Sequence, residues 1–213
     1  MHHLLLKLLF LRILLLPKAC TLKCYECALG PAASCSSATK QCSALENQCS
    51  AQRFIIYSGD SVTISDFIGK SCSFNFPCGE SSANLGLARI VLHNKCCATN
   101  LCNNVNAPDY SESRPNGRKC YYCNGAQCTA TVECKGSENY CITTKVVVDG
   151  QMKTTKGCVS APFCIKNGQL EGVIRNYIGS KINCCEGNLC NSGSRPRVGL
   201  LLVTPLLLLV MSP

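Results

Sequence analysis

The sequence predicts an all-β, disulfide-rich protein made of two tandem domains, and three observations carry that expectation. Of 213 residues, 21 are Cys, with no Trp and few charges, the profile of a disulfide scaffold made in an oxidising compartment. The string Cys96-Cys97-Ala98-Thr99-Asn100-Leu101-Cys102-Asn103 returns later as Cys184-Cys185-Glu186-Gly187-Asn188-Leu189-Cys190-Asn191, so one unit occurs twice. Between the cysteines the chain shows strand and turn signals and no convincing amphipathic helix.

In chain order, Leu4 to Leu16 is an apolar run broken by Lys7 and Arg12 and followed by Pro17, Ala19 and Cys20. It reads as a secretory signal, residues 1–20, and is too short to span a bilayer. Cys20 is the one cysteine outside two sets of ten, so a cut after it leaves an even number and a cut after Ala19 leaves a free thiol.

Residues 21–103 form the first expected domain, with Cys24, Cys27, Cys35, Cys42, Cys49, Cys72, Cys78, Cys96, Cys97 and Cys102. Residues 120–191 form the second, with Cys120, Cys123, Cys128, Cys134, Cys141, Cys158, Cys164, Cys184, Cys185 and Cys190. Neighbouring side chains on a strand point to opposite faces. Each doublet can therefore pin a distant strand with one sulfur and close a short local ring with the other, and the Asn that ends the string can tie chain ends with its amide.

Hairpins are expected at Gln52 to Ser65, around Ser58-Gly59-Asp60-Ser61, and at Cys141 to Cys158, around Asp149-Gly150. A shorter one is marked by Asn124-Gly125, and Gly168 to Asn183 holds strand-compatible Ile174, Tyr177 and Ile178. Each unit is then about three hairpin loops on a cysteine-rich base. Units this small, with Phe54, Phe67, Phe74, Phe76 and Phe163 as the only phenylalanines after the leader, bury too little to stand without bridges.

Residues 104–119, with Pro108, Pro115 and Gly117, read as an exposed linker, in which Arg114, Arg118 and Lys119 offer a protease site. After Asn191 come Ser192-Gly193-Ser194, a short basic spacer and an apolar run from Val198 to Met211. Residues 192–213 read as a glycosylphosphatidylinositol attachment signal, with Ser192, Asn191 or Gly193 as the attachment residue. The run is shorter than the roughly 20 residues a membrane helix needs.

The segment Leu22-Lys23-Cys24-Tyr25-Glu26-Cys27, the ten-cysteine order and the closing Cys-Cys-x-x-Asn-Leu-Cys-Asn resemble the urokinase-receptor and lymphocyte-antigen-6 family of three-finger domains. The resemblance implies five bridges per domain: Cys24 to Cys49, Cys27 to Cys35, Cys42 to Cys72, Cys78 to Cys96 and Cys97 to Cys102, then Cys120 to Cys141, Cys123 to Cys128, Cys134 to Cys158, Cys164 to Cys184 and Cys185 to Cys190. The tandem arrangement, with Cys134 to Cys141 and Lys156-Gly157-Cys158-Val159-Ser160, is similar to the branch holding the urokinase receptor and the gamma-type inhibitors of secreted phospholipases.

Other function classes fall away on composition. Past the leader only His93 remains of three His, too little for a Ser-His-Asp or Cys-His arrangement. Cys24-x-x-Cys27 and Cys120-x-x-Cys123 lack the second ligand pair of a zinc site and the βαβ setting of a redox motif, so no metal and no cofactor is expected. Residues 21–192 carry 16 basic and 12 acidic side chains, a mild bias without the clustering a nucleic-acid surface needs.

The expected function is binding an extracellular or cell-surface protein from the outer face of the plasma membrane, through a lipid anchor. The alternative is a soluble inhibitor of a secreted phospholipase or protease. Candidate contacts are Phe54, Ile56, Tyr57 and Asp60 in the first middle finger, and Lys145, Val147, Asp149 and Lys153 in the second.

Overall fold

The computed structural model describes residues 21–31, 35, 38–59, 62–74, 77–109, 114–125, 127–165 and 178–193. They form twelve strands and two short 3-10 turns, with no α-helix among the described residues. The chain divides into two compact units. The first comprises Met1–Tyr57, Thr63–Glu80 and Val91–Ser111; the second comprises Ser58–Val62, Ser81–Ile90 and Glu112–Pro213. Ser81–Ile90, from between Cys78 and Cys96, thus clusters with the second unit.

In the first unit, β1 (Lys23–Tyr25) pairs with β3 (Thr39–Gln41). A sheet runs β2 (Cys27–Pro31), β5 (Val62–Ser73), β4 (Gln48–Ser58), β7 (Ala88–Cys97). Its sulfur core is the buried cluster Cys24, Cys42, Cys49 and Cys72, with Leu22, Cys97 and Cys102 packed against it. The bonds are Cys24–Cys49, Cys27–Cys35, Cys42–Cys72, Cys78–Cys96 and Cys97–Cys102. Phe54 and Phe67 place their rings 6.5 Å apart, and Arg53 grips Asp66 through two guanidinium nitrogens across β4 and β5.

The second unit repeats the plan. β8 (Pro115–Asn124) pairs with β9 (Gln127–Lys135), while β10 (Tyr140–Val148) lies between β11 (Gln151–Val159) and β12 (Ser180–Cys185). Its bonds are Cys120–Cys141, Cys123–Cys128, Cys134–Cys158, Cys164–Cys184 and Cys185–Cys190. Cys120, Cys134, Cys141 and Cys158 form its buried centre, backed by Val132, Cys185 and Cys190. Ala83 and Asn84 of β6 (Gly79–Asn84) pair with Val159 and Cys158. A Cβ on Gly157 would lie 2.1 Å from the Asn84 carbonyl oxygen, so glycine permits that approach.

The structure corrects the expected linker. Residues 115–119 belong to β8, with Pro115 opposite Lys135 and Lys119 opposite Glu133. The features that read as loop are how this strand begins. Proline is tolerated as the first residue of a strand, and Gly117, at φ 84°, sits within an irregularity of register of the bulge kind. The expected hairpin from Gly168 to Asn183 falls mostly outside the described residues; Ile178 within it is fully buried.

One asparagine closes each unit. Asn103 Oδ1 accepts from the Tyr25 N–H at 2.9 Å, and its Nδ2 donates to the carbonyls of Tyr25 and Ser50 at 2.9 and 3.0 Å. Asn191 does the same with the Tyr121 N–H and the carbonyls of Tyr121 and Ile142, at 3.0, 3.0 and 2.9 Å. Both are buried. The short amide satisfies three backbone groups that water cannot reach, which neither Ala nor Asp can do.

The second unit also buries a carboxylate. Glu138 has no exposed surface; its Oε1 accepts from the Ser82 hydroxyl at 2.6 Å and from Arg89 Nε at 3.2 Å, and its Oε2 from the Lys135 N–H at 2.8 Å. Burial pushes the Glu138 carboxyl above its ordinary value of 4.5, against the opposing pull of these donors.

Two outcomes follow from these contacts. Asn103→Ala lowers stability by about 1–3 kcal/mol for each buried backbone group left unpaired, seen as a lower unfolding midpoint of the full chain in denaturant. For Glu138, a raised folded pKa means that its contribution is fully present below pH 4.5 and is lost as pH rises through the raised value. Thermal unfolding across that window therefore shows wild type losing stability with rising pH relative to Glu138→Gln, whose side chain does not ionise.

Candidate functional site

The longest run of exposed residues in the described second unit, 147–154, is the tip of the hairpin β10–β11. Its turn is Asp149-Gly150, with φ of 53° and 73°, the two left-handed residues that a tight hairpin turn demands. The register runs Lys145↔Thr154, Val146↔Lys153, Val147↔Met152 and Val148↔Gln151. Directly opposed residues share a face, as do residues two apart along a strand. Lys145, Val147, Met152 and Thr154 therefore occupy one face, and Val146, Val148, Gln151 and Lys153 the other.

The apolar tip lies in solvent: Val147 is 68 % exposed, Met152 52 % and Val148 40 %. Lys145 and Lys153 are exposed on its shoulders and Asp149 at its end. Among the described residues β12 accompanies β10 only as far as Lys145. The base of the finger is fixed. Cys141 and Cys158 are bonded to Cys120 and Cys134, and all four have no exposed surface.

Of the residues proposed from sequence, the structure brings Lys145, Val147, Asp149 and Lys153 together on this finger. Val148 and Met152, not named from the sequence, are exposed on the same finger. Met152 was legible in hindsight, because a two-residue turn at Asp149-Gly150 puts it directly across from Val147.

The first-unit candidates come apart. Phe54 is 1 % exposed and packs with Phe67, so it is a core residue and not a contact; its neighbour Ile55 is equally buried, so β4 is covered on both faces at this point. Ile56 and Tyr57 are half-buried, and Asp60 lies outside the described residues. Ile64 on the return strand is 60 % exposed.

The attachment candidates also separate. The Asn191 side chain is tied into the fold, while Ser192 and Gly193 are exposed beyond it.

A cavity of about 620 Å³ in the first unit is lined by Glu80, His93, Asn94 and Lys95 beside the Cys78–Cys96 bridge. His93 Nε2 stands 3.9 Å from Glu80 Oε2. The cysteines of this lining are bonded to one another and it holds no serine, so the lining contains no Ser-His or Cys-His pair. Three sulfurs, of Cys24, Cys42 and Cys72, lie within 4.8 Å of one another, as do those of Cys120, Cys134 and Cys158. Every one is in a disulfide and has no thiolate to give a metal.

A model of snake toxin and toxin-like proteins matches residues 22–103 and 118–191. The urokinase plasminogen activator surface receptor of Mus musculus is 30 % identical over 128 residues, 54 % of this chain and 39 % of the receptor. The receptor of the same name from Bos taurus is 26 % identical over 110 residues, 47 % of this chain and 33 % of the receptor. Lymphocyte antigen 6A-2/6E-1 of Mus musculus is 28 % identical over 83 residues, 37 % of this chain and 62 % of the antigen. The matches thus span less than two fifths of the length of either receptor. No helix among the described residues is long and apolar enough to cross a membrane.

Substituting the finger tip should leave the fold alone. Val147→Ser and Met152→Ser change stability by less than about 0.5 kcal/mol, the range of exposed positions away from special features, checked by denaturant midpoint against wild type.

Proposed function

The chain belongs to the family of snake toxin and toxin-like proteins, and from that premise we propose that it is a receptor-like protein of the outer cell surface. It is held by a lipid at its C-terminal end and presents the β10–β11 finger to an extracellular protein partner. Membership in this family, with urokinase-receptor and lymphocyte-antigen relatives, makes the module a non-catalytic one.

The observation that carries the reading is the exposed trio Val147, Val148 and Met152, flanked by Lys145 and Lys153. It stands on a hairpin whose base is cross-linked twice. Apolar side chains held in water by a rigid frame lose little conformational freedom when a partner covers them, so most of the burial energy goes to affinity. The lysines sit where a rim would be, and rim charges set the rate and the orientation of encounter more than its final strength.

Lipid attachment at Ser192 or Gly193 fits the exposed end of the fold better than attachment at Asn191, whose amide is engaged with three backbone groups.

Treating intact cells with a phosphatidylinositol-specific phospholipase, and immunoblotting medium and pellet, tests the anchor. Release into the medium supports it; protein already in the medium without the enzyme favours the secreted inhibitor. For the finger, chemical crosslinking on intact cells identifies the partner. The double variant Val147→Ser, Met152→Ser then weakens binding about 30-fold or more, since two central apolar contacts contribute about 1 kcal/mol or more each. Unchanged binding would move the contact away from this finger.

A further inference from the structure

Among the described residues, Arg89 and Lys156 are the buried Lys or Arg side chains, and the fold treats them differently. Arg89 has the Glu138 carboxylate at 3.2 Å. Lys156 on β11, 7 % exposed, has no ion pair among the described residues. Its Nζ donates to a neutral acceptor, the Ser192 carbonyl oxygen, at 3.4 Å. An ammonium carries three donors, and a charge withdrawn from water is costly until an anion pairs with it. Lys156 is thus a cation short of a counter-ion.

The sheet register shows what stands beside it. Thr143 of β10 lies opposite Lys156 on β11 and opposite Asn183 on β12. Directly opposed residues share a face, so an amide, a hydroxyl and an ammonium form one row across three strands. Each of them can donate a hydrogen bond. Thr143 is half-buried and Asn183 exposed, so the row opens to solvent at its far end. The end of the folded chain meets the cationic end of the row. Beyond the Asn191 clamp, Ser192 offers its carbonyl to Lys156, and a Cβ built on Gly193 would lie 3.6 Å from Lys156 Nζ.

Ser192 and Gly193 are the residues favoured above for lipid attachment. In such an anchor the terminal carbonyl forms an amide with ethanolamine, and the ethanolamine oxygen carries a phosphodiester. A negative charge therefore follows the last residue by the length of one ethanolamine. We propose that the Lys156 ammonium, with Thr143 and Asn183 in its row, binds the ethanolamine phosphate of the lipid anchor. The inference rests on the anchor reading. Pairing makes a charge-assisted hydrogen bond, the strong kind, and the covalent tether supplies the effective concentration that a free phosphate would lack. The first charged group of the anchor is then fixed to the root of the second unit.

The test uses protein released from cells by the phosphatidylinositol-specific phospholipase, which keeps the glycan and its phosphates. Mass spectrometry of the C-terminal peptide first reads whether Ser192 or Gly193 carries ethanolamine. A free carboxyl there would overturn the anchor reading and this proposal with it. Phosphorus NMR of the folded protein then reads the bridging phosphodiester, with the other phosphates of the glycan, the inositol cyclic phosphate among them, as internal references. The expected line is displaced and broader than the references, and it moves to the free position when the protein is unfolded in denaturant with reductant. That comparison needs no variant. Lys156→Gln places the line of the folded protein at the free position, and Lys156→Arg keeps it displaced. Ethanolamine on the peptide with an undisplaced line in folded wild type would overturn this proposal alone, as would a displacement that persists in Lys156→Gln. Added inorganic phosphate is the probe for a free anion. Saturable broadening of its line, lost in Lys156→Gln, with the bridging line undisplaced, would assign the lysine to an anion from solution and overturn the anchor contact.

Discussion

Everything in this protein hangs from two sulfur clusters, each tied shut by one asparagine. A unit with so little apolar side chain to bury needs a base that costs little entropy to form, and a disulfide acts by restricting the unfolded chain. The four buried cysteines at each centre serve as core and as cross-link at once. The asparagine then deals with what sulfur cannot, the backbone N–H and carbonyl groups that arrive at the base from different strands. Because both copies use the same residue against a tyrosine amide and carbonyl and one further carbonyl, the repeated string read from the sequence is a repeated hydrogen-bond pattern.

That base decides what the hairpins are free to do. A strand whose root is bonded at Cys141 and Cys158 need not bury its far end to stay folded, so the tip can carry valines and a methionine in water. In an uncross-linked domain of this size such a loss of apolar burial would be hard to offset, since the margin of stability is small. The fold thus frees the tip from the task of stability, which the root supplies.

How much of this was visible in the residues differs from feature to feature. The all-β class, the doubling of the unit and the Asp149-Gly150 hairpin rest on local signals, namely a repeated string, period-two alternation and a turn that needs two positive φ values, and local signals survive into structure. Which cysteine bonds which is a long-range matter that spacing alone leaves open, and it entered the sequence reading only through a family resemblance. Phe54 was misread because a strand covered on both faces, as Phe54 and Ile55 show, has no solvent face for alternation to reveal; the partner that covers it, Phe67, is on another strand. The linker was drawn too long because Pro115 and Gly117 signal irregular backbone, and an irregular strand start uses the same residues as a loop. Glu138 left no trace in the sequence, since its donors Ser82 and Arg89 lie more than forty residues away.

The buried carboxylate and the exposed apolar tip look like opposite faults, and the second unit tolerates both for one reason. Burying Glu138 costs solvation that three hydrogen bonds only partly return, as its raised pKa shows, and buried ion pairs are poor sources of net stability. Their value lies in geometry, because a carboxylate with a serine, an arginine and a backbone amide to satisfy accepts few arrangements of the chains around it. Ser81–Ile90 is held in the second unit by such directional bonds, together with the short pairing of β6 and β11. Apolar contact is forgiving of small shifts and hydrogen bonds are not. Stability here comes largely from covalent links, so the remaining noncovalent interactions are free to be chosen for precision of placement.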